Sequence, residues 1–105
     1  LSWSAGDHEA ALQTYARVWA VAPGSRAARV ASVSAGELWL ELGRPQLALQ
    51  SFRRAQRGKG ALAQDAGYGE IQALRALGKS AAADAATQRF LARYPDSAYG
   101  AKLRK

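Results

Sequence analysis

Three glycines set the frame of this chain. Gly6, Gly43 and Gly78 stand 37 and 35 residues apart, and the same order of residue types follows each of them. Ala11, Ala48 and Ala83 come five residues on, then Tyr15, Phe52 and Thr87, then Val18, Ala55 and Phe90. Self-similarity at a period of about 20–50 residues marks chains that stack one supersecondary unit on the next, and a unit of this length has room for a helical hairpin. A small residue and a large one at fixed offsets from a helix-ending glycine is the pattern two packed helices need.

Composition agrees with helix. The chain has 105 residues and only three prolines, alanine is its commonest residue, and β-branched residues are few, which favours helix over strand. The expected fold class is all-α, as one domain with a modest core. No cysteine is present, so disulfides, thiol catalysis and thiolate metal sites are excluded, while compartment stays open. No run of about 18 apolar residues could span a bilayer, and no signal-peptide order opens the chain. Leu1 is not an initiator methionine and the register places it inside a helix, so the chain is expected to be a piece of a longer protein.

Taken in order, Leu1 to Ala5 reads as the last turn of a helix closed by Gly6 at positive φ, with Asp7 as the N-cap of the next. Ala11, Leu12, Tyr15, Val18, Trp19 and Ala22 share one face of that helix, which Pro23-Gly24 ends. Ser25 is expected to cap a helix reaching Leu42, with a core stripe of Ala28, Ala31, Ala35, Leu38, Trp39 and Leu42. Val30, Val33 and Leu40 lie off that stripe, and Gly36 implies close approach of a facing helix. Gly43 and Pro45 separate it from a helix with the core face Ala48, Leu49, Phe52 and Ala55. Gly58-Lys59-Gly60 reads as a loose connection. A helix over 61–77 uses Leu62, Ala63, Ala66, Ala73, Leu74 and Leu77, although Gly67 and Gly69 weaken it. After Gly78, Ser80 is expected to cap a helix with Ala82, Ala83, Ala86, Phe90 and Tyr94 inward, ended by Pro95. Asp96 or Ser97 then caps a short final helix, with Ala98, Tyr99 and Leu103 inward, covering an end that a repeat stack otherwise exposes.

These residues resemble tetratricopeptide (TPR) repeats. Gly6 to Pro23 and Gly43 to Ala55 resemble the second helix of such a unit; the third copy departs, with Thr87 in the aromatic place, Phe90 in the small one, and Gly60 for the usual closing proline. The resemblance implies a right-handed superhelix of antiparallel helix pairs, about five helices plus a short C-terminal capping helix. It divides the chain into a half repeat 1–25, repeats 26–60 and 61–95, and a C-terminal helix 96–105. The ending Phe90 to Tyr99, with Tyr94-Pro95-Asp96-Ser97 at its centre, is similar to unit boundaries in bacterial cell-envelope TPR proteins of the Tol-Pal-associated or outer-membrane-assembly type, which implies a periplasmic or envelope setting.

The resemblance also implies a role. First helices of TPR units line a concave groove, and by register the groove positions are Val30, Val33, Glu37, Leu40 and Glu41, then Asp65, Tyr68, Gln72 and Arg75. Apolar residues beside carboxylates suit a protein or peptide segment bearing basic residues, and the equal alternative is that Val30, Val33 and Leu40 touch further units. The Lys/Asn set with which chaperone-adaptor TPR domains clamp a C-terminal carboxylate is absent, Val33 and Glu37 standing at two of its places. Self-association through the flank of residues 26–42 is a further option.

Charge and chemistry complete the reading. Residues 1–49 hold four basic and four acidic side chains and residues 50–105 hold eleven and four, so the whole excess of +7 lies in the second half. Arg53, Arg54, Arg57 and Lys59 form a basic surface outside the groove, which makes a nucleic-acid-binding helical repeat the alternative function. Aromatic residues for stacking are not interleaved with that cluster, which counts against it. His8 is the lone histidine and reads as packing or exposed. Glu37 and Glu41, one turn apart, form a strip on one face rather than a catalytic pair across a cleft. No serine has a partnering base and Gly58-Lys59-Gly60 lacks phosphate-loop spacing. A non-enzymatic interaction scaffold without metal or cofactor is the expectation.

Overall fold

Two kinds of connection each occur twice among the described residues. A computed structural model describes residues 5–56 and 60–104, and among these the regular structure is helical, with no strand: α1 (Ala5–Val21), α2 (Arg26–Glu41), α3 (Pro45–Arg54), α4 (Ala61–Ala76), α5 (Ser80–Arg93) and α6 (Ala98–Leu103). Gly43 and Gly78 end α2 and α4 at φ 72° and 74°, a region that a side chain resists. At both, the amide two residues past the cap donates to a carbonyl five residues back, Arg44 N to Trp39 O at 2.8 Å and Lys79 N to Leu74 O at 3.0 Å. This is the Schellman closure, and its two copies turn the chain in the same way. The other connection is built on Pro and Ser. Ser25 N donates to Ala22 O and Ser97 N to Tyr94 O, and each serine Oγ then caps the helix it precedes, accepting from Ala28 N and from Tyr99 N.

Each helix packs on the next as far as α5, and α2 also meets α4. The helices α2 and α4, two apart in sequence, are therefore neighbours in space, as in a helical-repeat stack. The core runs through this stack. Phe52, Leu49 and Ile71 are its largest fully buried side chains, joined by Val33, Ala48, Ala55, Ala66, Ala73, Leu74, Ala83, Ala86, Phe90 and Leu103. Burying a side chain the size of Phe52 contributes roughly 1.5–3 kcal/mol.

Aromatic rings seat on helical glycines. A Cβ added at Gly36 of α2 would lie 2.7 Å from the Phe52 ring, and one at Gly69 of α4 would lie closer still. Phe52 of α3 is thus clasped between the helices before and after it, and neither face has room for a methyl group. Phe90 of α5 sits on Gly67 in the same manner, at 3.0 Å from a Cβ there. Gly67 and Gly69, which weaken α4 as an isolated helix, are the seats of two core aromatics. The displaced Thr87 is buried and donates its hydroxyl to Ala83 O at 2.8 Å, so its polarity is satisfied inside the helix.

Several expectations need correction. Gly6 lies inside the first turn of α1, with Asp7 in the same turn, so neither closes nor caps a helix there; the helix expected over Leu1–Ala5 otherwise falls outside the described residues. Lys79, not Ser80, is the N-cap of α5, and it makes no side-chain cap bond, because the Schellman turn already sets the entry of the chain. Ala82 and Ala98 are exposed. Val33 is only 6 % exposed and belongs to the core, whereas Leu42 is 36 % exposed. The reason is common: α2 packs on α1, α3 and α4 together, which turns its buried arc away from the stripe that one neighbour would demand.

Candidate functional site

The α2–α4 face carries a cavity of about 230 Å³. Glu37 enters it from α2, Asp65, Tyr68, Gly69 and Gln72 from α4, Phe52 from α3, and Tyr99 from α6. Asp65, Tyr68 and Gln72 recur at three and four residues, so the helical period puts them on one line. Tyr68 and Tyr99 stack, with ring centroids 4.3 Å apart and planes 13° from parallel. The Tyr99 hydroxyl donates to Asp65 Oδ1 at 2.5 Å, and the Tyr99 and Phe90 rings pack edge to face with centroids 6.2 Å apart. Lys102 Nζ stands 5.8 Å from the centroids of both tyrosine rings.

The electrostatics of the cavity run against the charge of the whole chain. Partial burial, then Asp65, then Glu41 raise the Glu37 pKa above its ordinary 4.5, since a carboxylate beside other carboxylates and shielded from water resists ionisation. Tyr99 is pushed up to about 12, first by the hydrogen bond to Asp65, then by burial and by the charges of Asp65 and Glu37. A protein with an excess of seven positive charges thus turns an acidic, aromatic hollow outward.

Of the residues expected at the groove, Glu37, Asp65, Tyr68 and Gln72 come together in this cavity. Val30, Glu41 and Arg75 are exposed on the same two helices without lining it, Leu40 is half-buried against the core, and Val33 is inside it. Tyr99, Phe52 and Gly69 were not anticipated as lining. Tyr99 had a signal: α2, α4 and α6 have their N-caps at Ser25, Gly60 and Ser97, so α6 begins where another first helix would.

The basic surface is partly spent on the fold. Arg53 Nε donates to Glu70 Oε2 at 2.9 Å, tying α3 to α4, and the Arg54 guanidinium lies 4.9 Å from the Trp19 ring centroid, tying α3 to α1. Arg57 and Lys59 lie outside the described residues. A second hollow, between α1, α2 and α3, is lined by Tyr15, Trp19, Trp39, Leu47 and Arg54 among others. Among the described residues no three His, Cys, Asp or Glu side chains are grouped to hold a metal ion, and no helix is long and apolar enough to cross a membrane.

Residues 65–97 match the family model described as Tetratricopeptide repeat. The match supports the TPR family. It spans most of α4, all of α5 and the Pro95–Ser97 turn, which is one helix pair with the connection that follows it. The α2–α3 pair, with the same glycine closure and the same clasped aromatic, is consistent with a TPR-like stack extending toward the N-terminus. No curated protein and no solved structure matches the chain. TPR units generally mediate protein–protein interaction and are typically non-enzymatic.

Proposed function

We propose that this chain is a protein-interaction scaffold whose α2–α4 face takes a partner segment bearing basic side chains. Glu37 and Asp65 reach one hollow from two different helices, and the observation that carries the reading is the hollow's surplus of negative charge beside a stacked tyrosine pair. A Lys or Arg of the partner would lower the energy of the Glu37 carboxylate and lie against an outer face of the Tyr68–Tyr99 stack, which Lys102 also approaches, an attraction of about 0.5–2 kcal/mol for a cation on an aromatic ring. Val30 and Leu40 offer apolar contact along the same side. The register reading of a half unit 1–25, units 26–60 and 61–95 and a closing helix 96–105 gives such a face two first helices and the start of a third.

Other readings have less to stand on. Nucleic-acid binding through the basic surface loses Arg53 and Arg54 to structural contacts. Self-association through residues 26–42 has less free surface than the sequence suggests, because α1 packs on α2. A bacterial envelope setting rests on the Tyr94-Pro95-Asp96-Ser97 ending alone.

The test is selection from a random ten-residue peptide display library, followed by fluorescence anisotropy on the enriched peptides. Enriched sequences should carry Lys or Arg, and binding should fall more than tenfold with Glu37→Lys and with Tyr68→Ala and weaken with added salt. Enrichment of acidic peptides, or affinity indifferent to both substitutions, would overturn the reading.

A further inference from the structure

The repeat itself indicates what fits the hollow of about 220 Å³ between α1, α2 and α3. The α2–α3 and α4–α5 pairs keep one register: the N-caps Ser25 and Gly60, the C-caps Leu42 and Leu77, and the N-caps Arg44 and Lys79 are each 35 residues apart. At that step Ser32, Ala35, Ser51 and Arg54 of this hollow stand for Gly67, Glu70, Ala86 and Arg89, which line a smaller cavity of about 140 Å³ against α4 and α5. The two hollows are thus one place in successive pairs. In the later pair a ring of the chain itself occupies it, because Phe90 lies on Gly67. The matching residue of the earlier pair is Ala55, whose methyl group supplies no ring, and the seat is open. A cavity of about 150 Å³ already admits a benzene-sized molecule.

A second observation concerns its polar atoms. Ser32 and Ser51 are 5 % and 8 % exposed. Among the described residues neither hydroxyl has a hydrogen-bond partner, and neither is sealed from water as Gln56 Nε2 is, so both open onto the hollow they line. Buried hydroxyls are normally bonded, as that of Thr87 is to Ala83 O.

We infer that this hollow seats a tyrosine side chain of a partner segment that carries a carboxylate next to it. The ring takes the place Phe90 takes in the following pair, between Trp19, Trp39 and the small side chains of Ala31 and Ala35. Its hydroxyl donates to one serine and accepts from the other, which phenylalanine cannot do; an indole N–H, a donor only, satisfies one of them. Arg54 supplies the charge. Its guanidinium stacks 4.9 Å from the Trp19 ring centroid, which leaves edge N–H groups for a carboxylate, and it makes no ion pair among the described residues. The hollow shares no lining residue with the α2–α4 cavity, so the seat is independent of the function proposed above.

The test is a nuclear magnetic resonance titration of the isotope-labelled full chain with capped tripeptides, read from the indole N–H signals of Trp19 and Trp39. Acetyl-Gly-Tyr-Glu-amide should shift both signals saturably, and should bind at least threefold tighter than the same peptide with Phe for Tyr or with Gln for Glu. Ser32→Ala combined with Ser51→Ala should abolish the preference for Tyr over Phe, and Arg54→Gln the preference for Glu over Gln. Ser32→Leu fills the hollow and should abolish binding while keeping or raising the melting temperature; should it fail to fold, Ser51→Leu carries the same expectation from α3. Tyr68→Ala, in the other cavity, should leave binding unchanged. Absence of a saturable shift, equal affinity of the wild type for the Tyr and Phe peptides, a preference that survives its matching substitution, binding by a folded leucine variant, or loss with Tyr68→Ala would overturn the proposal. So would indole signals that shift on dilution of the chain alone and ignore the peptide, which would assign the hollow to a second copy.

Discussion

Phe52 touches three helices at once, and the two glycines that admit it explain why a poor helix former recurs in α2 and α4. Alanine at Gly36 or Gly69 would improve the helix by about 0.5–1 kcal/mol in isolation. In the folded chain its methyl group would enter the Phe52 ring, and overpacking of this kind costs about 1–3 kcal/mol. Gly36→Ala and Gly69→Ala should therefore each lower the urea midpoint, and adding Phe52→Leu should recover part of the loss, since the smaller side chain vacates the contested space. Purely additive losses in the double variants would show that the ring is not what excludes the methyl group.

At the scale of elements, α6 is six residues long and holds its place through few contacts. Leu103 reaches the core, and Tyr99 links α6 to α4 by stacking on Tyr68 and by its bond to Asp65. Hydrogen bonds to a charged acceptor are worth about 1.5–3 kcal/mol, so Tyr99→Phe should destabilise the chain by about 1–2 kcal/mol while keeping the stack. The bond also sets a pH dependence. The folded-state pKa of Tyr99, about 12, lies above the ordinary 10.0, so its stabilising contribution is complete below pH 10 and is lost as pH rises through 12. Ultraviolet titration should show a tyrosine ionisation step near pH 12 in the wild type, and that step should be missing in Tyr99→Phe.

For the molecule as a whole, the consequence of stacking is that charges from successive helix pairs are forced together. Glu37 belongs to α2, and its main charged neighbours are Asp65 on α4 and Glu41 one turn along. Because the folded state holds the Glu37 proton more tightly than the unfolded chain does, stability should fall as pH rises from 4.5 through the raised folded value, and the penalty then persists at neutral pH. Glu37→Gln should raise the urea midpoint at pH 7 modestly, since the group is exposed, and the gain should vanish below pH 4.5. A gain that is the same at both pH values would mean that charge is not its source. The same crowding is what a basic partner would relieve, so the stability cost and the proposed binding have one origin.

How much of this was legible before folding depends on how far each signal reaches along the chain. The helices, the closures at Gly43 and Gly78, the Ser25 and Ser97 caps and the buried set Ala48, Leu49, Phe52 and Ala55 could all be read from the chain, because caps and helical periodicity act over a few residues and the repeat shows each twice. Gly6 was misread because its register matches the other two while the chain around it continues as helix. Val33, Arg53, Arg54 and Tyr99 could not be placed from their own segments: the first needed three neighbours around α2, the arginines needed Glu70 and Trp19 from other helices, and Tyr99 needed α6 folded back on α4. The sequence by itself determined the helices, their turns and the order in which they stack. Only the tertiary structure decided which faces meet and where the charge gathers, because burial and electrostatics depend on distances between residues far apart in the chain.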